Sequence, residues 1–175
     1  MTHDELVKRA ATWLRNTCRC AVVITEMASG SETPDAIGWN GGGGSTLIEC
    51  KATMADFRAD AKKHFRRPDY PFALGCSRYY FVPQEIASAV LAESPEEWGV
   101  IGCSPGGRKS VLQKATPYSE YGKTQEISLL ISSLRRIAGT RNPLDGMNVK
   151  CYLITGDNPV ATLGIAPDAK ELIDE

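Results

Sequence analysis

Histidine is almost missing from this chain. The 175 residues hold two, His3 and His64, far apart. The six cysteines, Cys18, Cys20, Cys50, Cys76, Cys103 and Cys151, are scattered except for one C-x-C pair, and no C-x-x-C occurs. A zinc site built from paired Cys and His ligands is therefore not expected, and the thiols read as reduced and mostly buried. No apolar run approaches the ~18 residues of a membrane span. The start, MTHDELVKRAATWLR, is charged and amphipathic and lacks the apolar centre of a signal peptide. These absences imply a cytoplasmic protein with no membrane partner. An excess of charge of either sign is also lacking. The formal net charge is −1, so any nucleic-acid contact has to come from a local basic patch.

What is present fits one domain over residues 1–175. A hydrophobic share of 42% with 23% charge is ordinary for a globular protein. Thr2 with Glu5 forms a capping-box pattern, and Leu6, Val7, Ala10, Trp13 and Leu14 follow at helical spacing. AVVITEM, DAIGW, STLIECKA, SRYYFVP and WGVIGCS read as strands. MADFRADAKKHFRR reads as a helix ending before Pro68, and QEIASAVLAE as a short helix. The polar stretch from Arg108 to Lys123 has no period and reads as a loop. In TQEISLLISSLRRIA, Ile127, Leu130, Ile131, Leu134 and Ile137 share one helical face. NVKCYLIT reads as a strand and APDAKELIDE as a short acidic helix. Strands and helices are mixed, which predicts an α/β or α+β sheet flanked by helices.

The stretch ETPDAIGWNGGGGSTLIECKA holds Gly41 to Gly44 in a row. A phosphate-cradling loop of the Walker type needs a lysine after the glycines and a helix behind it. Here Ser45-Thr46-Leu47 follows, and the next segment is strand-like. A dinucleotide fingerprint fails for the same reason. The glycines instead read as a hairpin turn, since they tolerate positive φ. A hairpin centred near Gly42 sets Asp35 roughly opposite Glu49. Period-two alternation puts Glu49 and Lys51 on one face, with Ile48 and Cys50 on the other. Facing carboxylates ~5 Å apart repel unless one is protonated or a cation joins them. Hard oxygens suit Mg²⁺, which shares its shell with water and substrate phosphate. Asp35 and Glu49 are thus metal-ligand candidates, with the Cys50 carbonyl as a further ligand. Lys51 is placed to orient water or to meet charge developing on a phosphate.

The motif TPDAIGW followed by STLIECK resembles the PD-(D/E)XK nuclease superfamily, with Pro34-Asp35 as the "PD" and Glu49-Cys50-Lys51 as the "ExK". The order of helix, three strands, helix and strand is also similar. So are ECKATMADFRADAKKHFRR, SRYYFVP and EEWGVIG to uncharacterised phage and prophage members. The likeness covers about residues 2–103; residues 104–175 form an extension without such an anchor. The resemblance implies a restriction-endonuclease-like mixed central sheet flanked by helices. It also implies Mg²⁺-dependent hydrolysis of DNA phosphodiesters, with Mn²⁺ able to substitute. Asp35, Glu49 and Lys51 would be catalytic. Many members carry a further acid on the first helix, and Glu5 matches that place; its other reading is the capping box. Glu26, at a strand end, is a further metal-ligand candidate, and Glu32 is a loop acid near Asp35.

Lys62, Lys63, Arg66 and Arg67 form a basic run that suits DNA phosphates, which Asp56 and Asp60 would partly neutralise. Tyr79 or Tyr80 offers a face for an unpaired base or for core packing. A second reading is a catalytically silent binding module of the same fold, an inhibitor or a replication accessory protein. A third is an RNA-processing enzyme, since the chemistry at phosphorus is shared. A homodimer or a host protein partner stays open.

Overall fold

Thr2 caps the first helix as its pattern predicts. Its hydroxyl accepts from the Glu5 amide and the Glu5 carboxylate accepts from the Thr2 amide, a closed capping box. A computed structural model describes residues 1–27, 32–63, 66, 70, 72–137 and 152–153. Helix α1 (His3–Asn16) is followed by β1 (Val22–Thr25), β2 (Ala36–Trp39) and β3 (Ser45–Cys50). Then come α2 (Met54–Asp60), β4 (Ser77–Pro83), α3 (Ala87–Glu93), β5 (Gly99–Cys103), β6 (Lys109–Gln113) and α4 (Lys123–Ile137). A two-residue strand, β7 (Tyr152–Leu153), pairs with β1. The sheet order is β6-β5-β4-β3-β2-β1-β7. The pairs β3–β4 and β4–β5 are parallel and the others antiparallel, so the sheet is mixed. Among the described residues, no helix is long and apolar enough to cross a membrane.

Alternation along the strands builds a core on each face. On one side α1 sets Leu6, Ala10 and Leu14 against Ala36, Ile48, Cys50 and Phe81. On the other, Ile37, Leu47, Tyr80 and Val82 meet Phe57 of α2, Val90 of α3, Trp98 and Leu129 of α4. Parity then decides where chemistry can sit. Leu47 and Glu49 point to the second face, and so does the position before Ala36, which is Asp35.

Three expectations need correction. Helix α2 ends at Asp60 rather than near Arg67. In a continued helix Asp60 and Arg66 would stand about 120° apart around the axis. Instead the chain turns, with Lys63 and Arg66 amides bonded to the carbonyls of Asp60 and Lys63, and Arg66 folds back onto Asp60. The expected loop from Arg108 contains β6, an edge strand; its positions are half-buried or exposed, so no alternation marks it. Helix α4 exists, but Ile127, Ile131 and Leu134 face solvent while Glu126, Leu129 and Ser133 are buried. Arg67 and the acidic tail helix lie outside the described residues, as does most of NVKCYLIT.

Candidate active site

The β2–β3 hairpin pairs Ala36 with Ile48, so the register is centred on Gly42 and carries Asp35 beside Glu49. The glycine turn lies at the far end of the hairpin. At the near end the Cys50 amide donates to Asp35 Oδ2 at 2.7 Å, which fixes the aspartate. Lys51 Nζ lies 2.9 Å from Glu49 Oε2 and 3.7 Å from Asp35 Oδ2. The three head groups therefore converge.

The convergence is wider than the motif. Asp60, from the end of α2, places Oδ1 3.3 Å from Lys51 Nζ. Arg66 grips Asp60 Oδ2 with Nε at 2.6 Å, Glu49 Oε1 with Nη2 at 2.8 Å and Glu32 Oε2 with Nη1 at 3.1 Å. The Leu74 amide donates to the other Glu32 oxygen at 2.6 Å. Lys63 reaches Asp60 from the surface at 2.9 Å. His3, at the start of α1, sets Nε2 3.5 Å from Asp35 Oδ1. Four carboxylates thus meet Lys51, Arg66 and Lys63, and Glu32, Glu49, Asp60 and Arg66 are each 5% exposed or less.

Burial and charge pull these groups apart in acidity. Burial pushes the Glu49 carboxyl up to about 7, against the pull of Arg66. Burial would also raise Asp60, but the hydrogen bond and charge of Arg66 outweigh it and bring the carboxyl down to about 2. Asp35 is lowered too, because the His3 hydrogen bond and the Lys51 charge exceed the desolvation cost. His3 is raised chiefly by that same hydrogen bond. Desolvation works against the Lys51 ammonium, yet Glu49, Asp35 and Asp60 together raise it.

A pH dependence follows from Glu49. Its folded value, about 7, lies above the ordinary glutamate value of 4.5, so folding favours the protonated form. Its contribution to stability is complete below the unfolded value and is lost as pH rises through about 7. Glu49→Gln should therefore gain stability relative to the parent between pH 5 and pH 8 without divalent metal. Urea unfolding at both pH values measures it; a constant difference would refute a carboxyl raised by burial.

The other candidates fall into place around this cluster. Glu5 has its carboxylate on the Thr2 amide and is exposed, so it is engaged as a helix cap. Glu26 is exposed at the end of β1 with φ of 53°, and its charge reaches His3. Cys50 contributes its amide, while its thiol is buried with the α1 core. Lys62 and Lys63 are exposed on the turn after α2. Arg66 is corrected: it is not a surface phosphate ligand but a buried cation holding three acids. Arg78 and Tyr80 are buried as well, and Tyr79 packs edge-on against Trp13 at 5.4 Å. His3 is a further site residue that the sequence pattern does not mark, since only the placement of the start of α1 beside the hairpin brings it to Asp35.

Asp35 and Glu49 offer hard oxygens of the kind Mg²⁺ takes, an ion that leaves much of its shell to water and substrate. Glu49 Oε1 is buried and has no hydrogen bond of good geometry, since Arg66 Nη2 approaches it only as an ion pair. Among the described residues, no three His, Cys, Asp or Glu side chains form a ready-made ligand set, so the site does not resemble a protein-only cage.

No family model matches the chain, and none of the curated proteins does. Among solved structures it is similar to the SPO1766 protein of unknown function from Silicibacter pomeroyi. The identity is 18% and the TM-score 0.60, over 83% of this chain and 99% of that one. At that identity the likeness defines a shared mixed α/β fold.

Proposed function

We propose that the chain is a metal-dependent nuclease of the restriction-endonuclease-like class, hydrolysing DNA phosphodiesters. The observation that carries this reading is Lys51 Nζ, 2.9 Å from Glu49 and 3.7 Å from Asp35 at the open end of one hairpin. Asp35 and Glu49 would hold Mg²⁺, or Mn²⁺ in its place. When bound, such an ion polarises a phosphoryl oxygen and acidifies a coordinated water. The protein's own groups do the rest. The Cys50 amide orients Asp35, Asp60 steadies the Lys51 ammonium, and Lys51 supplies a fixed positive charge for the attacking water and the charge growing on phosphorus.

Asp35→Asn and Lys51→Met should each lower cleavage of labelled single-stranded, duplex or branched DNA by at least ~10²-fold with Mg²⁺ or Mn²⁺. Cleavage equal to the parent's would remove this mechanism. One observation favours a second reading, a binding module that keeps the fold. Both Glu49 oxygens already face cations, Lys51 and Arg66, so the carboxylate is neutralised from within. Mg²⁺ titration by calorimetry separates the two, because the module would bind no metal.

A further inference from the structure

Tyr80 is buried and Tyr79 half-buried against Trp13, yet one aromatic beside the acid cluster stands out in solvent. Phe72 is 51% exposed. Its neighbours in the chain are pinned. The Leu74 amide donates to Glu32 at 2.6 Å and the Gly75 amide to Glu126 at 2.8 Å. The Ala73 carbonyl accepts from the Gly122 amide at 2.9 Å and from Arg78 Nη2 at 3.2 Å. A buried position would explain such anchoring; here the anchored segment ends in an apolar ring held out in water.

The surroundings of that ring have a consistent chemistry. Tyr70 meets Phe72 edge to face, with ring centroids 5.8 Å apart. The Phe72 carbonyl lies so close to Gly122 that a side chain there would collide with it. Next in sequence to Gly122 stand Tyr121 and the exposed Lys123, whose ammonium sits 5.1 Å over the Tyr121 ring. Lys62 and Lys63 are exposed on the turn joining Asp60 to Arg66. Glu32 ties this region to the cluster, since it holds Leu74 with one oxygen and Arg66 with the other. Phe72 is two residues from Leu74, within ~7 Å of chain.

We propose that Phe72, with Tyr70, Tyr121 and Lys123 around it, is a stacking platform for an unpaired base, so that the substrate is single-stranded DNA. This rests on the nuclease reading above for the identity of the ligand. Every base offers a π-face to an exposed ring, whereas a duplex hides those faces. The exposed Lys123 and Lys62 supply positive charge for a phosphate backbone, while Lys63 is held by Asp60. Pinning of residues 73–75 means that little ordering is needed on binding.

The test is binding without cleavage. The full chain is titrated in EDTA with a fluorescein-labelled single strand and with the matching duplex, and anisotropy gives the affinities. The parent should prefer the single strand. Phe72→Ala should weaken single-strand binding by roughly 5- to 100-fold and leave duplex binding unchanged. Phe72→Trp should retain it, and both variants should melt like the parent because the ring is exposed. The platform is overturned if Phe72→Ala binds the single strand like the parent. It is equally overturned if the parent holds the duplex as tightly, or binds neither. A parallel cleavage assay with Mg²⁺ keeps the two readings distinct. Phe72-dependent binding without cleavage would remove the nuclease and leave the platform, while cleavage with unaltered Phe72→Ala binding would do the reverse.

Discussion

Arg66→Ala should cost about 3–5 kcal/mol of folding stability at pH 8, the range for removing one partner from a buried ionic network. The guanidinium spans Asp60, Glu49 and Glu32 at 2.6, 2.8 and 3.1 Å. Without it three carboxylates stay inside the fold, Glu49 and Asp60 with Lys51 as their buried cation and Glu32 with the charge of the buried Arg78. Arg66→Lys should recover little, because an ammonium is a point charge and does not reproduce a planar fork. The cost should shrink at pH 5, where Glu49, raised by burial to about 7, takes up a proton and no longer needs a counter-charge. Guanidinium unfolding at the two pH values reads both effects. A loss under about 1 kcal/mol at pH 8 would mean that the acids are solvated and the network is only superficial.

The same residue shows which parts of the site the sequence made legible. Asp35 and Glu49 could be paired because a glycine turn sets register by counting, and Ala36 opposite Ile48 bears the count out. Parity then put Lys51 on the side of Glu49, and the 2.9 Å separation of their head groups agrees with it. Arg66 was not legible. Four cations close together in sequence look alike on paper, and a charged residue is ordinarily placed outside. What distinguishes Arg66 is that the chain leaves helical geometry after Asp60, which lets the guanidinium turn back onto Asp60, Glu49 and Glu32. His3 escaped for a related reason. A contact between a helix start and a strand end depends on how α1 crosses the sheet, which spacing within either element does not encode. Edge strand β6 escaped because half-exposed positions carry no two-residue contrast.

Glu126→Ala should be the second severe substitution, again by about 3–5 kcal/mol, and it explains why α4 lies with its apolar stripe outward. Glu126 is 4% exposed. Its carboxylate accepts from Trp39 Nε1, Ser45 Oγ and the Gly75 amide, each at 2.8 Å, and Ser45 Oγ accepts in turn from the Cys76 amide at 2.9 Å. One acid thereby fastens α4 to β2, β3 and the segment before β4. An alanine would leave three buried donors unpaired, each costing ~1–3 kcal/mol and not fully additive. Apolar periodicity alone would turn Ile127, Ile131 and Leu134 inward, but that rotation would break all three bonds at once. The polar anchor decides the orientation, with Leu129 and Ser133 following Glu126 into the interior. Glu126→Gln separates anchoring from bulk. An amide whose oxygen takes the place of Oε1 still accepts from Ser45 and Gly75 and loses only Trp39, so its cost should be roughly 1–2 kcal/mol. Because Gly75 belongs to the segment that presents Phe72, Glu126→Ala should also weaken single-strand binding under conditions where the variant is still folded. Urea unfolding followed by anisotropy titration checks both. Equal stability of the Ala and Gln variants would show that helix packing, not the carboxylate, sets how α4 sits.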